Sequence, residues 1–504
     1  MASNFVPAPA VGIGGDNLES LNHGEFDLSP VERKYSPIQG VYRVSAQPQH
    51  DGSMNESSVA VFIAADPTKV TRLWSMKMGG QVRLERKVDG EGDWKTIKLE
   101  DAEAEHVGVI NNFLHAMFSR VEITLGGGTR IADSGTRPYV YKSYFEQLLN
   151  CTRTFQRDNL RHHGYIPDTT SYSEMTYEEI PNPNKADLTE DQKKNATEAL
   201  KIVQDKYPLA RGGDKYNQPW WDRRKPLIAG GNYEFYMPIY HDLLKVRKCL
   251  PPGVEMKINF YFNIDEFPIW CGSENKGKHY RLAFEKDSFY IDYERFLVKK
   301  EITKAYQRAL AADRYLALPI VRTLVKSYRV KKEDGKNLGR RNWITNSPHL
   351  PSQVIVCFVK ADAYEGSLRD NPYNLEHVDL RSASLIINSA TEPAEGYDTG
   401  KYGSNPVGKA FFWKMMREIG HVSEAQFETA LTMEGFFDDQ FFLCFDRSPS
   451  KDNSFVGALY DSGSLGLHLD LRGKLKHDLQ VIALMSYSSN VCIYNNTVRI
   501  EYFD

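Results

Sequence analysis

The chain has 504 residues, 41% of them hydrophobic and 12% aromatic, which is too long for one ordinary core and rich enough for two. The 63 basic and 66 acidic residues leave a formal net charge of −3, so the composition argues against a dedicated nucleic-acid binder, which carries a basic face. No apolar run approaches the length of about 18 residues that spans a membrane, and the first residues lack the pattern of a secretory signal. We therefore expect no membrane span and an intracellular location after synthesis.

The cysteines are scattered singly, and no pair has the spacing of a metal site or a redox motif. Three of them lie in apolar, strand-like runs. This pattern favours buried free thiols over a disulfide framework. The six residues are Cys151, Cys249, Cys271, Cys357, Cys444 and Cys492.

Residues 1–55 are rich in Pro, Gly, Ser and Asn and predict an N-terminal arm. The first clear strand pattern begins at Ser57. Alternating apolar residues from Val121 to Leu125 predict a further strand, which three glycines at 126–128 follow. A hairpin turn explains these glycines better than a phosphate-binding loop, because no Lys-Ser or Lys-Thr pair comes after them.

The next segment, YVYKSYFEQLLN, has the spacing of an amphipathic helix. Four of its side chains fall at i, i+3, i+4 and i+7 and therefore on one face: Tyr141, Tyr144, Phe145 and Leu148. Pro138 suits the first turn, where its missing N–H costs nothing. The pattern predicts a helix that covers a core with that face.

Residues 169–226 change character and become polar and charged, which predicts a folded excursion between strands. One helix is expected from Thr189 to Tyr207. Turn residues around two adjacent tryptophans follow it. These aromatic and basic residues could stack nucleic-acid bases, but we favour an anchor for the excursion or a contact with a neighbouring subunit: Tyr216, Trp220, Trp221, Arg223 and Arg224.

Strand patterns then resume, most clearly in VEMKINFYFNID, and we place a domain boundary near Lys304. The second half repeats the style of the first, with LGLHLDLRG as a clear half-buried strand and helical patterns at 405–434. The fold class is therefore all-β with inserted helices, and we expect two tandem eight-stranded antiparallel jelly rolls at 56–304 and 305–504. Periodicity alone does not separate this topology from an immunoglobulin-like one.

Four short motifs follow one another between about residue 105 and the C-terminus. The first is the Tyr-x-Tyr helix with its Gly-Tyr-x-x-Asp close at Gly164. The others are a Leu-Pro before an apolar strand, an Ala-Tyr-x-Gly step leading to Asn-Pro-Tyr-Asn, and the segment MEGFFDDQFFLCFDRSP. The motif residues are Tyr141, Tyr144, Leu148, Leu149, Gly164, Tyr165, Leu350, Pro351, Gly366, Asn371, Pro372 and Tyr373.

Together these motifs resemble the major capsid proteins of Polinton/Maverick and adintovirus-like elements. Arg447 departs from the pattern, which has an apolar residue there, and the resemblance does not cover the arm or residues 169–226. It implies a double jelly-roll protein that forms pseudo-hexagonal homotrimers, which tile an icosahedral shell around a DNA genome.

The same resemblance implies a location in the virion and a penton or minor capsid protein as partner at the vertices. DNA would be contacted only indirectly, and no cofactor, metal or catalytic residue is implied. The residues agree, because no known catalytic motif occurs. His162 and His163 lack a third ligand at zinc-site spacing, and we expect the acidic pair Asp438 and Asp439 to be solvated.

Two other functions remain open at this point. One is a carbohydrate-binding or glycoside-processing β-sandwich, which needs paired carboxylates and an aromatic platform; Trp220 and Trp221 are the only hint of one. The other is a cellular scaffold derived from a capsid protein.

Overall fold

The computed structural model describes most of the chain from Ile38 onward. The described residues are 38–49, 57–90, 92–126, 128–132, 135–168, 182–185, 188–206, 217–228, 231–271, 277–311, 315–334, 337–347, 349–400, 406–420, 430–448, 462–494 and 498–502. Tyr216, Gly127, residues 421–429 and most of the predicted arm lie outside them.

Thirteen of the described strands lie in the first half of the chain: β1 (Ile38–Ala46), β2 (Ser58–Ile63), β3 (Lys69–Val88), β4 (Lys95–Thr96), β5 (Val107–Val109), β6 (Phe118–Leu125), β7 (Thr129–Ala132), β8 (Tyr233–Pro238), β9 (Cys249–Leu250), β10 (Met256–Phe262), β11 (Ile269–Cys271), β12 (Lys278–Phe284) and β13 (Tyr290–Val298). The second half contributes nine more: β14 (Leu316–Val330), β15 (Asn337–Ser347), β16 (Gln353–Lys360), β17 (Leu380–Ile387), β18 (Ala390–Asp398), β19 (Phe442–Asp446), β20 (Gly463–Leu471), β21 (Leu479–Ile493) and β22 (Val498–Tyr502).

The helices of the described residues mostly connect strands: α1 (Leu99–Ala104), α2 (Phe113–Ala116), α3 (Pro138–Asn150), α4 (Arg153–Asp158), α5 (Glu190–Lys206), α6 (Gln218–Ile228), α7 (Lys300–Ala311), α8 (Ala361–Glu365), α9 (Pro406–Glu418) and α10 (Met433–Asp438). Short 3-10 turns add to them at Leu160–His163, Asp242–Lys245 and Lys332–Asp334. No helix of the described residues is long and apolar enough to cross a membrane.

Two sheets face each other in the first half. One has the order β1-β13-β3, and the long strand β3 then pairs with β8 over Lys77–Val82 and with β12 over Val82–Val88. The other has the order β2-β10-β6-β7. All of these pairs are antiparallel.

The second half repeats this arrangement. Its sheets have the orders β14-β21-β16-β19 and β15-β20-β17-β18. The eight main strands are β1, β2, β3, β6, β7, β8, β10 and β13 in the first half and β14 to β21 in the second. When they are numbered one to eight in chain order, both halves have strands 1, 8, 3 and 6 in one sheet and strands 2, 7, 4 and 5 in the other. This is jelly-roll topology, and it confirms the predicted fold class.

The cores lie between the facing sheets, where the period of two in the sequence places the apolar side chains. In β20, Leu465, Leu467 and Leu469 are buried, and in β10 the buried residues are Met256, Ile258 and Phe260. These were among the clearest alternations in the sequence, and they lie in central strands.

Strand β1 differs from the expectation that the first strand begins at Ser57. It lies inside the segment predicted as an arm and pairs with β13 along its length. Its sequence hides it because Gly40 interrupts the pattern and most of its residues are exposed or half-buried, so no apolar face marks it. The edge position explains that composition.

The same connection carries the inserted helices in both halves. Helices α3 to α6 lie between β7 and β8, and α9 and α10 lie between β18 and β19, which hold the same positions in the second half. The helix expected from Thr189 is confirmed as α5. The tryptophans, expected among turns, lie in helix α6 instead, where Pro226 occupies the last turn.

Candidate functional site at the joint between the two jelly rolls

Helix α3 lies between the two jelly rolls and is buried on nearly all sides. The predicted apolar face is buried, but so are the polar side chains of Lys142, Ser143 and Gln147 on its other faces. One side packs on the first jelly roll, where Tyr139 contacts Phe118 at a ring-centroid distance of 6.4 Å. The second jelly roll covers the other side, a fact that a helical period cannot reveal.

Aromatic rings from both halves meet on α3. The ring of Tyr144 stacks on Tyr373 with centroids 4.3 Å apart and planes 13° apart, and Tyr141 stacks on Tyr364 at 6.0 Å. Phe145 meets Phe442 edge-on at 5.9 Å. Such pairs contribute about 0.5–1.5 kcal/mol each beyond the area they bury.

The tyrosine hydroxyl groups form hydrogen bonds to backbone carbonyl groups across the joint. The hydroxyl of Tyr141 donates to the carbonyl of Pro372 at 3.2 Å, and that of Tyr373 donates to the carbonyl of Val140 at 3.4 Å. The amide of Asn112 donates to the Tyr373 hydroxyl at 3.3 Å. Burial raises the pKa of Tyr141 and Tyr373 above the ordinary value, so both hydroxyl groups stay neutral and able to donate.

The joint therefore brings the first and third sequence motifs into contact. Leu148, Leu149 and Tyr165 are also buried there. Leu350 is buried before β16, and the carbonyl of Pro351 accepts a 2.9 Å hydrogen bond from Arg447. Arg447, the departure from the motif, is thus a buried residue with a backbone partner on another motif.

Two motif glycines are required by close contacts. Gly164 has φ of 73°, and a Cβ there would lie 2.6 Å from the ring of Phe113. Gly366 has φ of 99°, and a Cβ there would overlap the side chain of Ile264 in the other jelly roll. Only glycine combines this backbone conformation with this clearance.

A buried ion pair fixes α3 to both halves. The Lys142 ammonium lies 2.7 Å from the Asp242 carboxylate, and both side chains are almost inaccessible. The same carboxylate oxygen also accepts a hydrogen bond from the second jelly roll, because the backbone N–H of Thr323 in strand β14 donates to Asp242 at 2.9 Å. Burial opposes the charge of Asp242, but the ammonium groups of Lys142 and Lys245 hold its pKa below the ordinary value.

The outer edge of β14 is closed by the first jelly roll. Pro319 has no N–H to offer, the N–H of Thr323 is bonded to Asp242, and Gly135 packs against the carbonyl of Val325. Further backbone bonds join the halves, including one from Cys271 to the carbonyl of Leu368 at 2.6 Å. A cavity of about 550 Å³ remains beside α3, lined by residues of both jelly rolls.

Helix α6 buries Trp220, Arg223 and Arg224 against its own jelly roll, and Trp221 beside them is half-buried. Trp220 donates to the carbonyl of Trp270 at 3.3 Å, and Arg224 stacks over Trp220 and Trp221 at 4.8 and 4.6 Å. Arg223 donates to Asp168 at 2.6 Å, in an ion pair with no exposed side-chain surface. Asp168 is the last residue of the first motif, so this pair explains its place there.

Of the five predicted contact residues, Trp220, Arg223 and Arg224 are buried within their own chain, which supports the interpretation that they anchor the excursion. Trp221 is half-buried, and its contact with another copy stays a prediction. Tyr216 lies outside the described residues. The buried position of Trp220 leaves it unable to act as a platform for a sugar ring.

Buried titratable groups surround the joint. His115 is fully buried with one ring nitrogen 3.0 Å from the Tyr139 hydroxyl, and burial holds its pKa well below the usual range. Burial, with Lys77 and His162 nearby, lowers the pKa of His163 to about 4. Asp439, expected to be solvated, is 7% exposed instead, and burial beside Asp438 and Asp168 raises its pKa.

No protein-family model matches the chain, and no curated protein matches its sequence. Solved structures do match. A chain of the Sputnik virophage, solved by cryo-EM at 3.5 Å resolution, aligns with a TM-score of 0.50 at 8% identity, covering 100% of this chain and 95% of that one. The chain has a double jelly-roll fold.

Two further solved structures align over nearly their full length. The mavirus major capsid protein gives a TM-score of 0.46 at 9% identity, covering 98% of this chain and 96% of its own. VP54 of PBCV-1, fitted into a reconstruction of Sputnik, gives 0.46 at 10% identity, covering 95% and 100%. The described residues contain no cluster of three or more side chains able to hold a metal ion.

The first prediction concerns the ion pair. Lys142→Met should lower the free energy of unfolding by about 3–5 kcal/mol, because it leaves the Asp242 carboxylate buried without its nearest cation. The double variant Lys142→Met/Asp242→Asn should recover much of that loss, since the amide oxygen still accepts from Thr323. Denaturant titrations measure both, and equal stabilities of the single and double variants would contradict the assignment.

The second prediction separates backbone conformation from contact. Gly253 also has positive φ, but a Cβ there meets nothing within 4 Å. Gly253→Ala should therefore cost only the conformational energy of about 1–2 kcal/mol. Gly164→Ala should cost about 1–3 kcal/mol more, because the methyl group collides with Phe113. Matching losses in the two variants would mean that Phe113 moves away freely.

The third prediction concerns acid. The folded protein holds the pKa of His163 at about 4, whereas an unperturbed histidine has a pKa of about 6.5. Between these values the unfolded chain binds a proton that the folded chain does not, so stability falls as pH falls through this window. His163→Gln should flatten the fall by at most about 1.4 kcal/mol per pH unit. His279, which is exposed, provides the control His279→Gln, and an identical slope in wild type and His163→Gln would refute the assignment.

Proposed function

We propose that this chain is a structural capsid protein that forms homotrimers with a pseudo-hexagonal outline, and that these trimers tile an icosahedral viral or virus-like shell around a DNA genome. It is not an enzyme in this proposal. A penton or minor capsid protein would occupy the vertices, and the protein would reside in the virion. The resemblance to the Polinton/Maverick and adintovirus-like capsid proteins supplies these details.

The repeated jelly roll is the observation that carries the proposal. Two domains of the same topology in one chain present two similar outlines, so three chains present six. A ring of three such chains approximates sixfold symmetry, which suits a hexagonal lattice. The full-length fold similarity to a chain of the Sputnik virophage supports the same conclusion.

The joint supports a structural role as well. Aromatic stacking, a buried ion pair and backbone bonds between the halves fix the angle between the jelly rolls. A tile needs such a fixed angle, because an error in one subunit is repeated across the shell. We also propose 56–304 and 305–504 as the two domains, with β1 added to the first.

The carbohydrate-binding alternative loses its main support. It depended on Trp220 and Trp221 as an aromatic platform, and Trp220 is fully buried within the chain. The excursion that carries them is proposed to lie on the outside of the particle.

The fourth prediction tests the proposed assembly directly. Purified full-length protein should have a molar mass in light scattering of three times the 57.6 kDa of one chain. Electron micrographs should show near-hexagonal particles, and shells at higher concentration or changed salt. A stable monomer at every concentration, salt and pH tested would overturn the proposal.

A further inference from the structure

The sheet β14-β21-β16-β19 of the second jelly roll has an outer face, which points away from its own core. The first jelly roll covers this face inside the chain. Cys357 and Phe442 are buried on it, Phe145 of α3 packs on Phe442, and Asp242 bonds to Thr323. The outer face of this sheet is therefore covered by a contact within the chain.

The corresponding face of the first jelly roll is not covered by other described residues. We name it the open face and define it by outward-pointing residues of β1, β3, β8 and β13: Val41, Trp74, Lys77, Glu234, Tyr236 and Phe296. Val41 is 58% exposed and Tyr236 is 43% exposed. Trp74 and Phe296 are half-buried.

The open face is an ordered array rather than a solvated surface of loose side chains. The guanidinium of Arg72 stacks over Trp74 at 4.6 Å and over Phe296 at 5.6 Å. The Lys77 ammonium lies over the ring of Tyr236 at 5.2 Å. Rings held flat on a sheet in this way present apolar area with little conformational entropy left to lose on binding.

Helix α9 has a stripe of exposed side chains, one of which, Lys414, lies over the ring of Tyr397 at 4.3 Å. It occupies the same connection in the second jelly roll as α3 does in the first. Its inner side is buried through Phe411, Phe412, Met415 and Met416, whereas Lys409, Ala410, Lys414 and Arg417 are exposed. Trp413, in the same stripe, is 49% exposed.

We propose that the stripe of α9 in one copy packs on the open face of the next copy. The contact between α3 and the second jelly roll inside the chain is then repeated between chains. Such head-to-tail contacts join different surfaces of the two partners, and they close into a ring when the rotation from copy to copy completes a full turn. This inference rests on the proposed homotrimer and names the surfaces that form it.

Charge and size fit this pairing. The stripe carries three cations and no acid. On the open face Arg72 is paired with Glu294 and Lys77 lies over the Tyr236 ring, whereas Glu234 is exposed, has no ion-pair partner among the described residues and can face one of the cations of the stripe. From Lys409 to Arg417 the helix advances about 12 Å. The four strands of the open face span about 14 Å, so the stripe crosses the face once.

Isotope-mixed cross-linking tests the contact. Equal amounts of nitrogen-14 and nitrogen-15 protein are assembled together and treated with a lysine-reactive linker. We expect peptide pairs that join Lys77 to Lys409 or Lys414, with mixed-isotope pairs at the statistical share of a contact between chains. Trimers without these pairs would overturn the inference. Pairs of Lys77 with the arm residue Lys34 of the same chain would overturn it too, because the arm would then cover the open face. Both outcomes leave the proposed trimer standing.

Interface variants provide the second arm. Trp413→Ala and Tyr236→Ala should each weaken trimer formation at least about tenfold, because large aromatic residues dominate interface energies. Arg417→Glu changes an exposed side chain and should also weaken it while thermal unfolding of the monomer stays unchanged. Leu99→Ala, at another exposed apolar residue, is the matched control. Unchanged trimers in all three variants would refute this interface, whereas absence of trimers in wild type would refute the proposed function itself.

Discussion

The burial of one helix between two jelly rolls is the constraint on which the rest of this structure depends. Helix α3 carries a lysine, a serine and a glutamine into an interior that tolerates them only with partners. The Lys142 ammonium finds Asp242, and that carboxylate in turn receives the N–H of Thr323 from the second jelly roll. Removing Lys142 or Asp242 leaves the other buried without its nearest counter-charge, so the packing of α3 depends on both halves.

The closed edge of β14 follows from the same constraint. A strand of fifteen residues at the edge of a sheet is an open template for pairing with other chains. Here Pro319, Asp242 and Gly135 withdraw its backbone groups from pairing. The edge of β14 is therefore a poor template for pairing with a strand of another chain.

Much of the fold could be predicted from the sequence, because central strands such as β10 and β20 bury one face and expose the other. The edge strand β1 and helix α6 could not be predicted, since contacts with residues far away in the chain determine them. The face of α3 toward its own core was predictable, but the partners of Lys142 were not. Nothing local marks Asp242 as the residue that a lysine a hundred positions earlier requires.

The candidate site shows the same division. The motif residues could be identified by resemblance, whereas their contacts required the structure. Tyr144 and Tyr373 stack across two domains, and Asp168 is explained by Arg223 in a segment that the resemblance did not cover. Asp439, whose acidic neighbour in sequence favoured a solvated position, is buried, and so is Arg447, which departs from the motif. Sequence motifs of this kind record tertiary contacts more than chemistry.

The distance in sequence across the joint has a consequence for synthesis. Tyr373 bonds to Val140, which lies 233 residues earlier. A ribosome needs roughly 10 to 50 seconds to make that much chain. The last strand of the first jelly roll ends at Val298, and from then until Tyr373 is made the tyrosine face of α3 stays exposed without its partner. The nascent chain therefore passes through an aggregation-prone intermediate. Several ribosomes that translate the same messenger RNA hold such exposed surfaces close together.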